Sequence, residues 1–188
     1  MIDKNIMEIV KKQKRDVSFI WIDYKKAYDS VPHKWIEKVL TMYKFDPVIC
    51  NFVKTTMKTW KLLLTLPNEN KPIELEECKI KRGIFQGDSF SPLLFCLAMA
   101  PLSRILKRAK VGFKTNGTII SHLKYIDDLK IYAKNKNELK RCIDMVEMFS
   151  DDINMKLGID KYGIVNVRKG ELDEKKFESD IPTLTHEE

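Results

Sequence analysis

The residues of this chain best suited to chemistry are carboxylates. Asp127 and Asp128 stand side by side in His122-Leu-Lys-Tyr-Ile-Asp-Asp-Leu-Lys-Ile-Tyr-Ala133, flanked by segments that alternate apolar and polar residues. Period-two alternation on both sides of a polar point predicts a β-hairpin with the acids at its turn. Aspartate is a poor strand former and adjacent carboxylates repel, so a hairpin tip carrying two of them needs a reason. One reason is an Asx-type surface turn. The other is a divalent cation, which cancels the repulsion and takes hard oxygen ligands. A third acid, Asp23, ends the β-rich run Val17-Ser-Phe-Ile-Trp-Ile22, which reads as a buried strand delivering a carboxylate at its C-terminal end. Carboxylates converging at one sheet edge suit a pair of Mg²⁺ ions, and two such ions favour in-line phosphoryl displacement. Nucleophilic catalysis lacks its parts: the sequence has no G-x-S-x-G, no paired Cys and His and no Walker lysine.

The acids must be positioned by the surrounding elements. Residues 1–15 read as an amphipathic helix with a basic polar side, carrying Ile2, Ile6, Met7, Ile9 and Val10. After Asp23 a helix is expected to start near Ser30 or Val31, with Pro32 in its first turn and Trp35, Ile36, Val39, Leu40 and Tyr43 at helical spacing. Asp46 is expected to cap a second helix with Pro47 at its first position. Trp60–Leu66 and Ile73–Ile80 read as paired strands across the turn 67–70. Residues 81–92 form a glycine-bearing loop that opens one long, buried helix from Leu93 to about Lys110. The acidic hairpin follows, then a helix capped by Asn137, then one or two strands over 155–167 around Gly158 and Gly163. This order predicts an α+β layout: an antiparallel sheet with helices on one face, close to the split β-α-β plan. Residues 1–169 read as one domain and 170–188 as a charged, frayed tail.

Composition narrows the class of partner. The 188 residues are 44% hydrophobic and 32% charged, a globular balance, with 34 Lys and Arg against 27 Asp and Glu and a net charge of +7. A basic chain that gathers its acids at one point fits a polyanion gripped around a metal site. Cys50, Cys78, Cys96 and Cys142 are widely separated and read as reduced thiols of an intracellular protein, in nucleus or cytoplasm. No stretch approaches the roughly 20 apolar residues of a membrane span, and the start lacks a signal-peptide core, so neither secretion nor membrane insertion is expected.

Four segments, taken together, resemble the palm of a reverse transcriptase, most closely those of non-LTR retrotransposons. They are Phe19-Ile-Trp-Ile-Asp-Tyr-Lys-Lys-Ala-Tyr-Asp-Ser-Val-Pro-His33, Arg82-Gly-Ile-Phe-Gln-Gly-Asp-Ser-Phe-Ser-Pro-Leu-Leu-Phe95, Tyr125-Ile-Asp-Asp128 and Leu157-Gly-Ile-Asp-Lys161. The resemblance implies a polymerase palm with partial fingers that adds deoxynucleotides to a DNA primer on an RNA template, using two Mg²⁺ ions, with Mn²⁺ an alternative. It makes Asp23 and Asp127 the metal-bridging carboxylates and Asp128 a third acid with a less direct role. Backbone groups of Ile22 or Tyr24 would contact the triphosphate. Tyr28 falls at the steric gate, where a ring beneath the sugar excludes a 2′-hydroxyl. Gln86 and Gly87 match the pair that contacts the incoming nucleotide and lets the template approach closely. Lys161 matches a lysine that protonates or supports the leaving pyrophosphate. Asp29 and Arg82 read as structural hydrogen-bonding residues, and Asp88 as a loop or cap acid.

The departures from the family pattern carry expectations too. Ile126 stands where many non-LTR enzymes have alanine, and a larger β-branched residue there would press on the primer terminus. Basic finger segments upstream, and primer-grip and thumb regions downstream, have no counterpart in the sequence, so it resembles a truncated copy. The alternative to a polymerase is therefore a catalytically inactive nucleic-acid-binding remnant. A different two-metal polymerase or cyclase on the same plan is a weaker alternative, against which Tyr28 and Gln86-Gly87 argue.

Overall fold

The computed structural model describes residues 2–66, 73–74, 77–158 and 163–173. In chain order the first elements are α1 (Ile2–Lys12), β1 (Val17–Ile22), α2 (Ala27–Ser30), α3 (His33–Met42), α4 (Pro47–Thr59), β2 (Lys61–Leu62), β3 (Thr65–Leu66), β4 (Ile73–Glu74) and β5 (Cys78–Lys79). There follow α5 (Ser91–Ala98), α6 (Ala100–Arg108), β6 (Phe113–Thr115), β7 (Thr118–Ile120), β8 (His122–Tyr125), β9 (Asp128–Ala133), α7 (Lys136–Asp152), β10 (Gly163–Arg168) and β11 (Glu171–Leu172). Two compact units emerge. One comprises Met1–Tyr24, Leu102–Phe149 and Leu157–Glu188; the other comprises Lys25–Pro101 and Ser150–Lys156.

The first unit is built on a five-stranded sheet in the order β11-β10-β1-β9-β8, with every pairing antiparallel. The apolar run at 17–22 occupies the centre because both of its faces are covered. Val17 and Phe19 point to one face and pack with Ile6 and Val10 of α1, with Phe113, Tyr132 and Val167. Ile20 and Ile22 on the opposite face are also buried, as are Leu129 and Ile131 beside them on β9. Buried polar residues of this unit include Ser18, whose hydroxyl donates to Asn166 Oδ1 at 2.7 Å, and one charged side chain. Lys130 is 8% exposed, its ammonium lying 4.2 Å from the Phe19 ring centre, 4.1 Å from that of Trp21 and 2.7 Å from Asp3 Oδ1. The same oxygen accepts the Tyr132 hydroxyl proton at 2.5 Å. Burial alone would raise the Asp3 carboxyl, but the bonds from Lys130 and Tyr132 hold it below its ordinary value.

At β8, His122 has its pKa pushed down to about 4 by burial first, then by Lys107 and Lys124. An unfolded histidine titrates near 6.5, so the unfolded chain binds the extra proton between those two values. The folding stability held by the neutral ring is complete above pH 6.5, declines as pH falls, and is lost below about 4. The expected loss from pH 7.5 to 5.0 is on the order of 1–2 kcal/mol, less than the full shift implies because the ring keeps some solvent contact. Urea denaturation at the two pH values measures it, and His122→Gln should flatten the difference.

The second unit carries α2 to α5 and two short antiparallel pairs, β2 with β5 and β3 with β4. These are the strands expected on either side of the turn 67–70, which itself lies outside the described residues. Asp46 caps α4 as expected, its Oδ1 accepting from Val48 N at 2.8 Å, with Pro47 in the first turn.

Several details differ from the sequence expectation. The helix expected from Leu93 to about Lys110 is two helices, which part at Met99. Pro101 explains the break, since it has no N–H to donate to Leu97 and its ring would strike that carbonyl, while the first turn of α6 tolerates it. Asn135 rather than Asn137 caps α7: its Oδ1 accepts from Glu138 N at 2.9 Å, and Glu138 Oε2 accepts from Lys134 N at 3.1 Å. This is a capping box displaced by one residue, since Glu138 reaches the N–H before the cap and not that of Asn135 itself. Lys169 and Gly170 form the turn between β10 and β11, which pair with each other. Among the described residues no helix is long and apolar enough to cross a membrane.

Candidate active site

Strand pairing brings the three acids to one end of the sheet. The last residue pair of β1 and β9 is Ile22 with Leu129, so continuation of that register sets Asp23 across from Asp128. Tyr125 pairs with Asp128 on the other side, which leaves Ile126 and Asp127 as the two-residue turn of the β8–β9 hairpin. Asp127 is thus in the turn and Asp128 opens the strand. Two-residue hairpins favour turns with positive φ, usually supplied by Gly, Asn or Asp. Here Ile126 adopts a φ of 55°, strained for a β-branched residue. Strain of this kind persists only where the surroundings over-determine it, and it sits beside the acid of greatest interest.

Asp23 is held from behind. Tyr24 forms an isolated antiparallel bridge with Leu157, and Gly158 N donates to Asp23 O at 2.8 Å. A Cβ on Gly158 would stand 3.3 Å from that same oxygen, so the fourth motif approaches the strand end as closely as a side chain allows. Gly158 is the positioning residue that motif reading passed over; a glycine directly after a strand-bridging apolar residue was its signal. Tyr24 itself is 3% exposed, so a triphosphate contact there would fall to its backbone. Lys161 lies outside the described residues.

The other motif residues belong to the second unit, where they brace one another. Lys26, with a φ of 47°, turns the chain into α2, which carries Tyr28. The Tyr28 ring stacks on Phe95 with centroids 5.3 Å apart and planes 9° from parallel, which fixes its orientation. The second motif is pinned to the first by Gly83 N donating to Val31 O at 2.8 Å and Ile84 N to Tyr28 O at 2.9 Å. Gly83 must be glycine, since at its φ of 92° a Cβ would lie 3.0 Å from Asp29 O. Its own oxygen is hydrogen-bonded to His33 Nε2 at 2.7 Å. Gln86 and Gly87 follow on an exposed turn, and a Cβ on Gly87 would meet nothing within 4 Å. Arg82 donates to the carbonyls of Asn154 at 3.0 Å and Ile153 at 3.5 Å, just past the end of α7, which is a structural role. Asp88 accepts from Phe90 N and from Ser91 Oγ, each at 3.3 Å, which makes it a loop acid bracing the entry to α5.

The acids offer oxygen ligands alone, the donor chemistry of Mg²⁺ or Mn²⁺. Among the described residues no group of three or more His, Cys, Asp and Glu side chains is already gathered as a metal site. Magnesium does not require one, because it is commonly bound by one or two carboxylates, with waters and substrate phosphates completing its shell. Asp23 and Asp127 fit that pattern.

An antiparallel sheet of this order, with acids at the end of its central strand pair, defines a polymerase palm. The fold is similar to that of apo telomerase from Candida tropicalis truncated from its C-terminal domain, with a TM-score of 0.67 at 16% identity over 95% of this chain and 36% of that one. Telomerase from Candida albicans in complex with a fragment of telomeric RNA aligns with a TM-score of 0.58 at 11% identity, over 98% of this chain and 34% of that one. The chain belongs to the reverse transcriptase (RNA-dependent DNA polymerase) family, whose model matches residues 2–178. It is 30% identical over 147 residues to the retrovirus-related Pol polyprotein from type-2 retrotransposable element R2DM of Drosophila melanogaster, over 78% of this chain and 13% of that polyprotein. It is 31% identical over 134 residues to the Pol polyprotein from type-1 retrotransposable element R2 of Nasonia vitripennis, over 67% of this chain and 12% of that one. The chain thus spans about an eighth of the length of these relatives. They agree with the resemblance to non-LTR retrotransposon polymerases drawn from the four motifs.

Proposed function

We propose that the chain is the catalytic palm of an RNA-templated DNA polymerase, adding deoxynucleotides to the 3′-hydroxyl of a DNA primer. The observation that supports this is the strand register that sets the backbone positions of Asp23, Asp127 and Asp128 at one sheet end, in a chain of the reverse transcriptase family. Asp23 and Asp127 would hold a pair of Mg²⁺ ions, with Asp128 adding negative charge beside them. The ions would supply charge neutralisation for the triphosphate and a lowered pKa for the attacking hydroxyl. The protein's own residues position the reactants. Gly158 fixes the strand end that presents Asp23. Tyr28 lies under the sugar, with its ring locked by Phe95; Gln86 contacts the incoming nucleotide; and Gly87 keeps the template's path open. Lys161 supports the leaving pyrophosphate.

Primer extension on an RNA template, with deoxynucleotides and Mg²⁺ or Mn²⁺ as the only variables, tests this reading. Divalent-dependent incorporation supports it. RNA binding without incorporation at any metal concentration would assign the chain the inactive binding role instead. The gate is tested separately. Tyr28→Ala should lower the preference for deoxynucleotides over ribonucleotides by roughly tenfold or more, while Tyr28→Phe should keep it.

A further inference from the structure

The sheet end away from the acids is strongly basic. A cavity of about 630 Å³ there is lined by Lys14, Arg15, Lys110, Lys114, Lys134 and Lys169, all within the sheet-bearing unit. Asp16 precedes β1 and Lys134 follows β9, whereas Asp23 and Asp128 mark the other ends of the same strands. Six strand residues at about 3.3 Å each separate the cavity from the acids by roughly 20 Å.

The cations here outnumber the local acids. Asp16 and Glu138 also line the cavity, but Asp16 Oδ1 accepts from Lys169 N at 2.8 Å and Glu138 Oε2 from Lys134 N at 3.1 Å. Among the described residues none of the six cations forms an ion pair. Helices α1 and α6 end at the rim, and each C-terminus contributes roughly half a negative charge. Six cations against those two acids and two helix ends still leave a net charge of about +3. The turns are also unusual. Lys14, Lys110 and Lys169 adopt φ values of 49°, 54° and 50°, a left-handed backbone that glycine or asparagine fits with less strain. Arg15 is pre-oriented, its guanidinium 4.4 Å from the centre of the buried Phe113 ring, so its N–H edge is directed by stacking.

We propose that this cavity is a second nucleic-acid site, which holds the phosphate backbone of a strand passing the sheet end opposite the acids. Six cations exceed what a single phosphate engages, and their placement on four separate turns and on β6 suits successive phosphates along a strand. Binding of a fluorescent 20-nucleotide single-stranded RNA, followed by anisotropy in EDTA across a salt series, tests it. The variant carries Lys14→Asn, Lys110→Asn and Lys169→Asn, since asparagine accepts the left-handed backbone and preserves the turns. Its control carries Lys4→Gln, Lys44→Asn and Lys140→Gln, which remove the same charge from exposed positions elsewhere. The cavity variant should bind at least tenfold more weakly, with the slope of log K against log salt shallower by about 2. The control should change little. Equal losses in both variants, or no loss in the cavity variant, would overturn the proposal. In the unmodified chain, bound RNA should shield Lys14, Lys110 and Lys169 from acylation, and unchanged labelling would likewise count against it. Binding in EDTA is read without catalysis, so its outcome is independent of the polymerase reading.

Discussion

Asp127→Asn is expected to lower RNA-templated incorporation by on the order of a thousandfold or more, which corresponds to about 4 kcal/mol of lost transition-state stabilisation. Asparagine keeps the size of aspartate and is at home in a hairpin turn, so the change removes charge and leaves shape. A neutral amide is a poor ligand for a divalent cation beside a triphosphate, and on the proposed reading the site would then lack one of its two bridging carboxylates. Asp23→Asn should cost as much. Asp128→Asn should cost less, because the same reading gives that residue the indirect role. Single-turnover extension on a primed RNA template measures all three, with thermal melting as the control for folding. Undiminished extension by Asp127→Asn would remove the basis for the catalytic reading, whatever became of the other two variants.

The largest expected effect on stability lies far from this chemistry. Gly112 has a φ of 150°, and a Cβ built on it would stand 2.4 Å from Ile120 O and 2.7 Å from Ser121 Cα. Both are backbone atoms at the junction of β7 and β8, so nothing there can move aside cheaply. Gly112→Ala should therefore destabilise the chain by about 3 kcal/mol or more, lowering Tm by roughly 6–12 °C. Gly117 provides the contrast. It follows Asn116 in the β6–β7 turn with a φ of 76°, and a Cβ there meets nothing within 4 Å. Gly117→Ala should cost only the backbone term, about 1 kcal/mol. Differential scanning calorimetry of the two variants separates clash from conformational strain, and equal losses would mean that the Gly112 contact is relieved at little cost.

Sequence alone placed Asp23 at a strand end and Asp127 in a hairpin turn, because period-two alternation and turn residues are local signals that survive without knowledge of the fold. It also identified Asp46 as a cap, and Asp88 as a cap or loop acid, since capping depends on neighbours two or three residues away. The helix break at Pro101 and the cap at Asn135 were equally local and were passed over in favour of apolar periodicity and of Asn137. Other features were not local at all. Alternation states which side chains share a face, but not which strand lies alongside or by how many residues it is shifted. The pairing of Ile22 with Leu129, on which the meeting of the acids depends, joins positions more than a hundred residues apart and is decided by burial on both faces of β1. The demand for glycine at 83, 112 and 158 arises from backbone segments that approach from elsewhere in the chain. So does the basic cavity, where lysines from four turns and from β6, each unremarkable in a chain with 34 Lys and Arg, face one another only after the sheet has formed.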